Sequence, residues 1–170
     1  MIIDLTTVVA RLKAIELRFE PNEIDLEIDG TKLAGEANFF GETERVDDKA
    51  HVRGTINAAV LIDCTRCLEP VARDFDIIFD DVFVDPSDEP AEAEIILDPD
   101  SLDESVAIDG KIDLAEVVRE QIILALPDQV YCRDDCKGLC PECGSNRNLI
   151  DCRCTEEEID PRWSALKKLK

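Results

Sequence analysis

Cysteine is the residue type in this 170-residue chain whose number and spacing best suit chemistry. There are eight cysteines, and six of them fall within residues 132–154. The chain begins Met1-Ile2-Ile3-Asp4 without a basic and apolar signal sequence, and no apolar run approaches the ~18 residues that span a membrane. We therefore expect a cytoplasmic protein, in which clustered cysteines bind metal more often than they form disulfides.

Four cysteines near the C-terminus have the spacing of a structural zinc site. The sequence Cys-Pro-Glu-Cys-Gly at residues 140–144 has the form of a zinc knuckle, in which a tight turn aims two thiolates at one ion. Cys152 and Cys154 are two residues apart and share one side of an extended strand. We favour one four-thiolate zinc site made of Cys140, Cys143, Cys152 and Cys154. Four thiolates also suit an iron–sulfur cluster.

The other four cysteines allow two arrangements. Cys132 and Cys136 are spaced to share one face of a helical turn, and Cys64 and Cys67 follow a predicted strand. These four could form a second site that closes residues 64–67 onto residues 132–136. Alternatively, Cys64 and Cys67 join the 140–144 knuckle and the remaining cysteines are auxiliary. The sequence does not choose between the two.

A redox function is an alternative for Cys64-Thr65-Arg66-Cys67, which has the C-x-x-C spacing of dithiol oxidoreductases. However, thioredoxin-like motifs open a helix within a βαβ unit, whereas this pair follows an antiparallel-type strand. The sequence has no P-loop or glycine-rich dinucleotide motif, and the lone histidine, His51, has no evident catalytic partners. We therefore expect a protein that is not an enzyme.

The charge of the chain is strongly acidic and unevenly distributed. The net charge is -21, and residues 74–113 contribute two-thirds of it with Lys111 as their single base. A pI near 4.2 argues against a general nucleic-acid coat, because phosphate binding relies on lysine and arginine. Residues 74–113 are therefore either a solvated loop or a docking surface for a basic partner. Adaptation to a high-salt cytoplasm is a third explanation of the acidity.

Alternating apolar residues predict strands in the N-terminal half of the chain. The alternation is clear over residues 55–64 and 74–83, and an earlier strand is predicted from Leu33 to Val46. Consecutive strands of this kind favour an antiparallel meander, with Pro70 in the turn between the last two strands. The opening stretch from Val8 to Leu17 predicts either a short helix or an irregular strand.

The second half of the chain predicts a loop, a helix and a cysteine-rich module. Three prolines among many acids predict a long loop at residues 85–105, with a short strand at residues 95–97. A helix is predicted at about 113–126, with Asp113 as its cap and Glu116 in a capping box. Residues 128–154 have few large apolar side chains and need a metal or a partner to fold. Asp160 and Pro161 begin a short C-terminal helix.

The predicted fold class is therefore α+β. Residues 1–127 form a β-rich antiparallel domain with one amphipathic helix. Residues 128–170 form a cysteine-rich zinc-knuckle module with the short C-terminal helix.

Three motifs follow one another in a specific order. They are Cys-Thr-Arg-Cys-Leu-Glu-Pro at residues 64–70, Lys-Gly-Leu-Cys-Pro-Glu-Cys-Gly-Ser-Asn-Arg-Asn at residues 137–148, and Asp-Pro-Arg-Trp at residues 160–163. In this order, and over nearly the whole chain, they resemble the YceD family. Members of this family are known as large ribosomal RNA subunit accumulation proteins of bacteria and plastids.

The resemblance implies a non-enzymatic factor in assembly of the large ribosomal subunit, which supports accumulation or processing of its rRNA. The implied partner is large-subunit rRNA or a ribosome assembly intermediate. An alternative function is that of an acidic adaptor, in which residues 74–113 hold a basic ribosomal protein before assembly. If the protein contacts RNA, we expect the contact at basic residues that lie near the cysteine turns or have no acidic residues as neighbours in the sequence. These are Arg66, Arg73, Lys137, Arg147, Arg153, Arg162, Lys167, Lys168 and Lys170.

Overall fold

Four long strands form an antiparallel meander, as the alternating residues predict. The computed structural model describes residues 1–8, 12–47, 49–85, 104–154 and 162. Within these residues, each meander strand pairs with the next in chain order. The strands are β2 (Lys13–Phe19), β3 (Thr31–Val46), β4 (Lys49–Asp63) and β5 (Pro70–Val84). The prediction of an α+β fold built on antiparallel strands is confirmed.

Three short strands complete the sheets. β1 (Ile2–Asp4) pairs with β7 (Lys111–Asp113) in a separate two-stranded sheet. β6 (Glu104–Val106) extends the main sheet by pairing with the end of β5 in parallel. The parallel pairing was not predicted, because a parallel partner needs a long crossover that leaves no local pattern. The predicted loop at residues 85–105 is therefore too long at its C-terminal end, and the strand predicted at residues 95–97 lies outside the described residues.

Of the two alternatives for the opening stretch, the described part shows the strand, since Lys13–Phe19 form β2. One further prediction needs correction. Pro70 does not lie in the turn but is the first residue of β5, opposite Asp63. A proline is tolerated there because the first residue of a strand can lack an N–H without breaking the ladder.

The helix packs on one face of the sheet, and the side chains between them form the hydrophobic core. α1 (Leu114–Ala125) begins at the predicted cap, where the Asp113 carboxylate accepts a hydrogen bond from the backbone N–H of Ala115 at 3.0 Å. Glu116 of the predicted capping box accepts a hydrogen bond from Arg119. The buried side chains of α1 are Leu114, Val117, Val118 and Ile122.

One carboxylate lies on the helix-facing side of β5. The Gln121 amide donates a hydrogen bond to Asp81 at 3.0 Å, and Asp81 is only partly exposed. Burial raises the pKa of Asp81 above its ordinary value, against the opposing effect of the Gln121 hydrogen bond. An ionised Asp81 therefore opposes folding.

Asp81→Asn is expected to stabilise the protein at neutral pH by removing this buried charge while keeping an acceptor for Gln121. Because the pKa is higher in the folded state, the wild type loses stability as pH rises through that pKa. We expect the melting temperature to rise by about 2 °C at pH 7, and the gain to vanish below about pH 4, where both states hold the proton. Thermal unfolding across pH measures it. An equal gain from the exposed Asp74→Asn would contradict the explanation.

Candidate metal centres

The eight cysteines fall into two groups of four. Within each group, all four sulfur atoms lie within 4.8 Å of one another. The first group is Cys64, Cys67, Cys132 and Cys136, and the second is Cys140, Cys143, Cys152 and Cys154. Of the two arrangements that the sequence left open, the structure shows the one in which residues 64–67 close onto residues 132–136.

The sulfur spacing suits a tetrahedral metal ion. The Cys64 and Cys136 sulfurs are 3.9 Å apart, and those of Cys67 and Cys132 are 3.6 Å apart. Zinc–sulfur bonds of about 2.3 Å in a tetrahedron require a sulfur–sulfur distance of ~3.8 Å. Each group could therefore hold one metal ion with little movement of its side chains.

The first pair of cysteines lies at the tip of the β4–β5 hairpin. The backbone N–H of Cys64 donates to the carbonyl of Glu69 at 2.8 Å, and that of Leu68 donates to the carbonyl of Cys64 at 2.9 Å. These bonds close a tight turn that aims both thiols to one side. Cys64 and Cys67 are 0 % and 4 % exposed.

The Cys140–Cys143 turn repeats the same backbone hydrogen bonds. The N–H of Cys140 donates to the carbonyl of Ser145, and that of Gly144 donates to the carbonyl of Cys140, both at 2.8 Å. Gly144 has a φ of 70°, and its counterpart Leu68 has a φ of 60°. Residues 64–69 are thus a second knuckle. The sequence pattern did not identify it as one because leucine occupies the position where glycine is usual.

Backbone hydrogen bonds attach the module to the hairpin tip. The N–H of Thr65 donates to the carbonyl of Val130 at 2.8 Å, and the N–H of Val130 returns a bond to the Thr65 hydroxyl at 2.9 Å. The N–H of Leu139 donates to the carbonyl of Arg66. The first cysteine group therefore joins two parts of the chain that already contact each other. The division into units of residues 1–127 and 128–170 stays a prediction.

Two of the predicted RNA-contacting arginines are used within the protein. The Arg66 guanidinium donates to the carbonyls of Asp134 and Cys136 and lies 4.2 Å above the Tyr131 ring. Arg73 donates to the carbonyl of Tyr131 at 3.4 Å. Both side chains thus help hold the loop that carries Cys132 and Cys136.

Asn148 contributes to the first group, although the sequence pattern did not single it out. Its amide nitrogen lies 3.3 Å from the Cys136 sulfur, and its amide oxygen accepts from the backbone N–H of Lys137 at 2.8 Å. A hydrogen bond of this kind favours the thiolate form of Cys136 and fixes its direction. An asparagine twelve residues from a cysteine carries no local signal of this role.

The two groups share an electrostatic pattern. Burial acts to raise the pKa of Cys64, but backbone N–H groups of Cys132, Arg66 and Cys67 lower it to about 6. Loss of solvation and hydrogen bonds with neighbouring thiols raise the pKa of Cys132 to about 12. Four thiols this close cannot all ionise alone, because their charges repel. A divalent cation would stabilise all four thiolates together.

The second group shows the same contrast. Hydrogen bonds from the Ser145 side chain and backbone lower the pKa of Cys143 to about 6. Hydrogen bonding with Cys143 raises the pKa of Cys154 to about 12. Cys143 and Cys154 are exposed, so this group is more accessible to solvent than the first.

The other predicted RNA-contacting bases are placed as follows. Lys137, Arg147 and Arg153 are exposed on the cysteine module. Arg162 is exposed and already interacts with another group of the protein. Lys167, Lys168 and Lys170 lie outside the described residues. In the part of the chain that is described, no helix is long and apolar enough to cross a membrane.

The fold and the cysteine groups together define an α+β protein in which a sheet hairpin and a cysteine-rich module share a four-cysteine centre beside a second one. This chain belongs to the YceD family, because the sequence model of that family, described as "Large ribosomal RNA subunit accumulation protein YceD", matches residues 52–170. The resemblance seen in the sequence is thereby confirmed. The family name points to accumulation of the large ribosomal RNA subunit.

Individual relatives agree with this membership. The chain is 30% identical over 152 residues to an uncharacterized protein of Mycobacterium tuberculosis, covering 88% of this chain and 69% of that one. It is 29% identical over 116 residues to the uncharacterized protein YlbN of Bacillus subtilis, covering 68% of this chain and 63% of that one. It is 24% identical over 150 residues to the chloroplastic "Large ribosomal RNA subunit accumulation protein YCED homolog 1" of Arabidopsis thaliana. That match covers 74% of this chain and 46% of the plant protein. No solved structure matches the chain.

Proposed function

We propose that this protein is a non-enzymatic factor that acts in the cytoplasm during assembly of the large ribosomal subunit. In this role it supports accumulation or processing of large-subunit rRNA. The observation that carries the proposal is membership of a family whose plant relative is named for large-subunit rRNA accumulation. In cells lacking this protein, the ratio of large-subunit to small-subunit rRNA should fall, and the wild-type chain should restore it. An unchanged ratio would refute the proposal.

Structural zinc in both cysteine groups is part of the proposal. Four thiolates close the coordination shell, which leaves no open position for a substrate or water. Zinc bound there supplies folding free energy to a module that has few large apolar side chains. Zinc is favoured over an iron–sulfur cluster because all four sulfurs of each group lie within 4.8 Å of one another, close enough to bind a single ion.

The burial of the first pair supports a role other than dithiol exchange. A redox-active thiol must reach a substrate disulfide, yet Cys64 and Cys67 are almost fully buried. The Cys64 sulfur also has Cys136, from the other end of the chain, as its neighbour at 3.9 Å. These features favour a structural centre.

We propose that the exposed basic residues of the cysteine module make any direct contact with RNA. A four-thiolate centre that holds Zn²⁺ carries a formal charge of about -2. This charge repels RNA phosphates unless nearby lysines or arginines offset it. Arg66 and Arg73 are already bonded within the protein. Lys137, Arg147 and Arg153 are left as the described candidates.

Replacing Lys137, Arg147 and Arg153 together with glutamine is expected to weaken binding to large-subunit rRNA fragments. In filter binding over a salt series, the slope of log affinity against log salt should fall by about 0.7–0.9 for each phosphate that is no longer neutralised. Arg18→Gln is the matched control, because Arg18 is exposed on the sheet and pairs with Glu36 at 3.4 Å. An unchanged slope in the triple variant would rule out these bases as the RNA-binding residues.

A further inference from the structure

The sheet face that points away from α1 carries an apolar row across three strands. Phe40 in β3 lies opposite Thr55 in β4, which lies opposite Ile78 in β5. Ile78 is 84 % exposed and Phe40 is 46 % exposed. Thr55 lies between these two apolar side chains. Exposed large apolar side chains grouped on one face of a sheet are typical of a surface that another molecule covers.

A shallow hollow of about 620 Å³ opens over this row. The backbones of Gly41 and Gly54, which lie opposite each other in β3 and β4, also line it. The other residues that line the hollow include Phe40, Thr55, Ile78, Glu42, Arg53 and Asp80.

Carboxylates flank the apolar row on both sides. Along β5, Asp76 precedes Ile78 by two residues and Asp80 follows it by two, so all three share this face. Glu16 in β2 lies opposite Phe40 at the other end of the row. The basic groups on this face have carboxylate neighbours: Arg53 pairs with Glu42 at 2.7 Å, and His51 lies 3.5 Å from Asp80. Arg18 pairs with Glu36 at 3.4 Å. The surroundings of the row are therefore acidic.

We propose that this face is a docking surface for a basic segment of a partner polypeptide. The apolar row takes an apolar side chain of that segment, and the flanking carboxylates take its lysines or arginines. The proposal concerns a different surface from the cysteine centres and does not depend on the zinc or the rRNA role.

Charge decides between the candidate occupants. RNA is disfavoured because its phosphates would lie against Asp76, Asp80 and Glu16. A second copy of this chain would bring two acidic faces together, which costs free energy. A metal ion alone would leave Ile78 and Phe40 exposed. A cationic segment with an apolar residue satisfies both the carboxylates and the apolar row.

The spacing also predicts the pattern of the segment. Residues two apart on a strand are separated by about 6.6 Å. An extended partner that runs along β5 therefore places residues i, i+2 and i+4 over Asp76, Ile78 and Asp80. The matching pattern is basic, any residue, apolar, any residue, basic.

The test is fluorescence anisotropy of a labelled peptide of repeating Lys-Ser-Leu-Ser, titrated with the zinc-loaded full chain. We expect saturable binding, and we expect Ile78→Thr to weaken it about tenfold. In the double variant Asp76→Asn/Asp80→Asn, the affinity should depend less on salt concentration. The matched control is Ile108→Thr, because Ile108 is 80 % exposed but lies outside this sheet. It should leave the affinity unchanged. All these positions are exposed, so the variants should fold.

Three results would overturn the proposal. The first is no binding, or equal binding of a peptide of repeating Glu-Ser-Leu-Ser. The second is an equal loss of affinity in Ile78→Thr and Ile108→Thr, which would indicate unspecific apolar contact. The third is much tighter peptide binding when Lys167, Lys168 and Lys170 are all replaced by serine, which would identify the basic end of this chain as the occupant.

Discussion

Cys64→Ser is expected to remove one of the two proposed zinc ions and to detach the cysteine module from the β4–β5 hairpin. Cys64 is fully buried, and its sulfur belongs to the group that joins the β4–β5 hairpin to Cys132 and Cys136. A serine hydroxyl is a poor replacement for a zinc-bound thiolate. Structural zinc contributes roughly 10–16 kcal/mol in small zinc-binding peptides, which exceeds the stability of a typical domain. We therefore expect a loss of at least about 5 kcal/mol in the module.

Metal content by mass spectrometry and proteolysis of residues 128–154 measure this effect. Cys143→Ser is the matched control, because Cys143 is an exposed member of the second group. It should also lose one zinc ion but keep the Thr65–Val130 hydrogen bonds and the protection of residues 128–136. Retention of two zinc ions in Cys64→Ser would contradict the two-centre arrangement, and iron in the wild type would contradict zinc.

Gly54→Ala is expected to destabilise the sheet more than an ordinary surface change. A Cβ atom on Gly54 would lie 2.5 Å from the Phe40 carbonyl oxygen and 2.7 Å from the Gly41 Cα atom. Both neighbours belong to the backbone of β3, so relief requires the paired strands to separate. The Phe39 ring, which is fully buried, covers the same place and packs against Phe79 at 5.8 Å. We expect a cost of about 2–4 kcal/mol.

Chemical denaturation of the zinc-loaded protein measures this cost. Gly35→Ala is the matched control in β3, because no atom lies within 4 Å of a Cβ built there. Its expected effect is within about 0.5 kcal/mol. Similar losses in the two variants would show that the close approach of β3 and β4 is not what requires glycine.

The elements with a short-range pattern were predictable from the sequence. Apolar residues alternate along β4 and β5 because one face of the sheet is buried, and this alternation is visible within a few residues. The Asp113 cap and the apolar stripe of α1 are local in the same sense. The knuckle at residues 140–144 is likewise marked by its spacing and its glycine.

Features that depend on distant residues were not predictable. The parallel pairing of β6 brings together β5 and a strand from beyond residue 103, and nothing in either segment specifies the partner. The position of Asp81 on the helix-facing side was missed because its neighbours suggested a solvated acidic stretch. Arg66 looked available for RNA, but the loop that it binds is about 70 residues away along the chain.

The family, the strands of the meander, the helix and the presence of cysteines that could hold a metal all follow from the amino-acid order, because short motifs and periodic patterns encode them. The grouping of the cysteines follows from the folded chain alone, since Cys64 and Cys136 are 72 residues apart and meet through the folding of the hairpin against the module. Folding likewise places Ile78 of β5, between Asp76 and Asp80, on the same sheet face as Phe40 of β3. That surface exists because strand register, which long-range packing fixes, selects which side chains become neighbours.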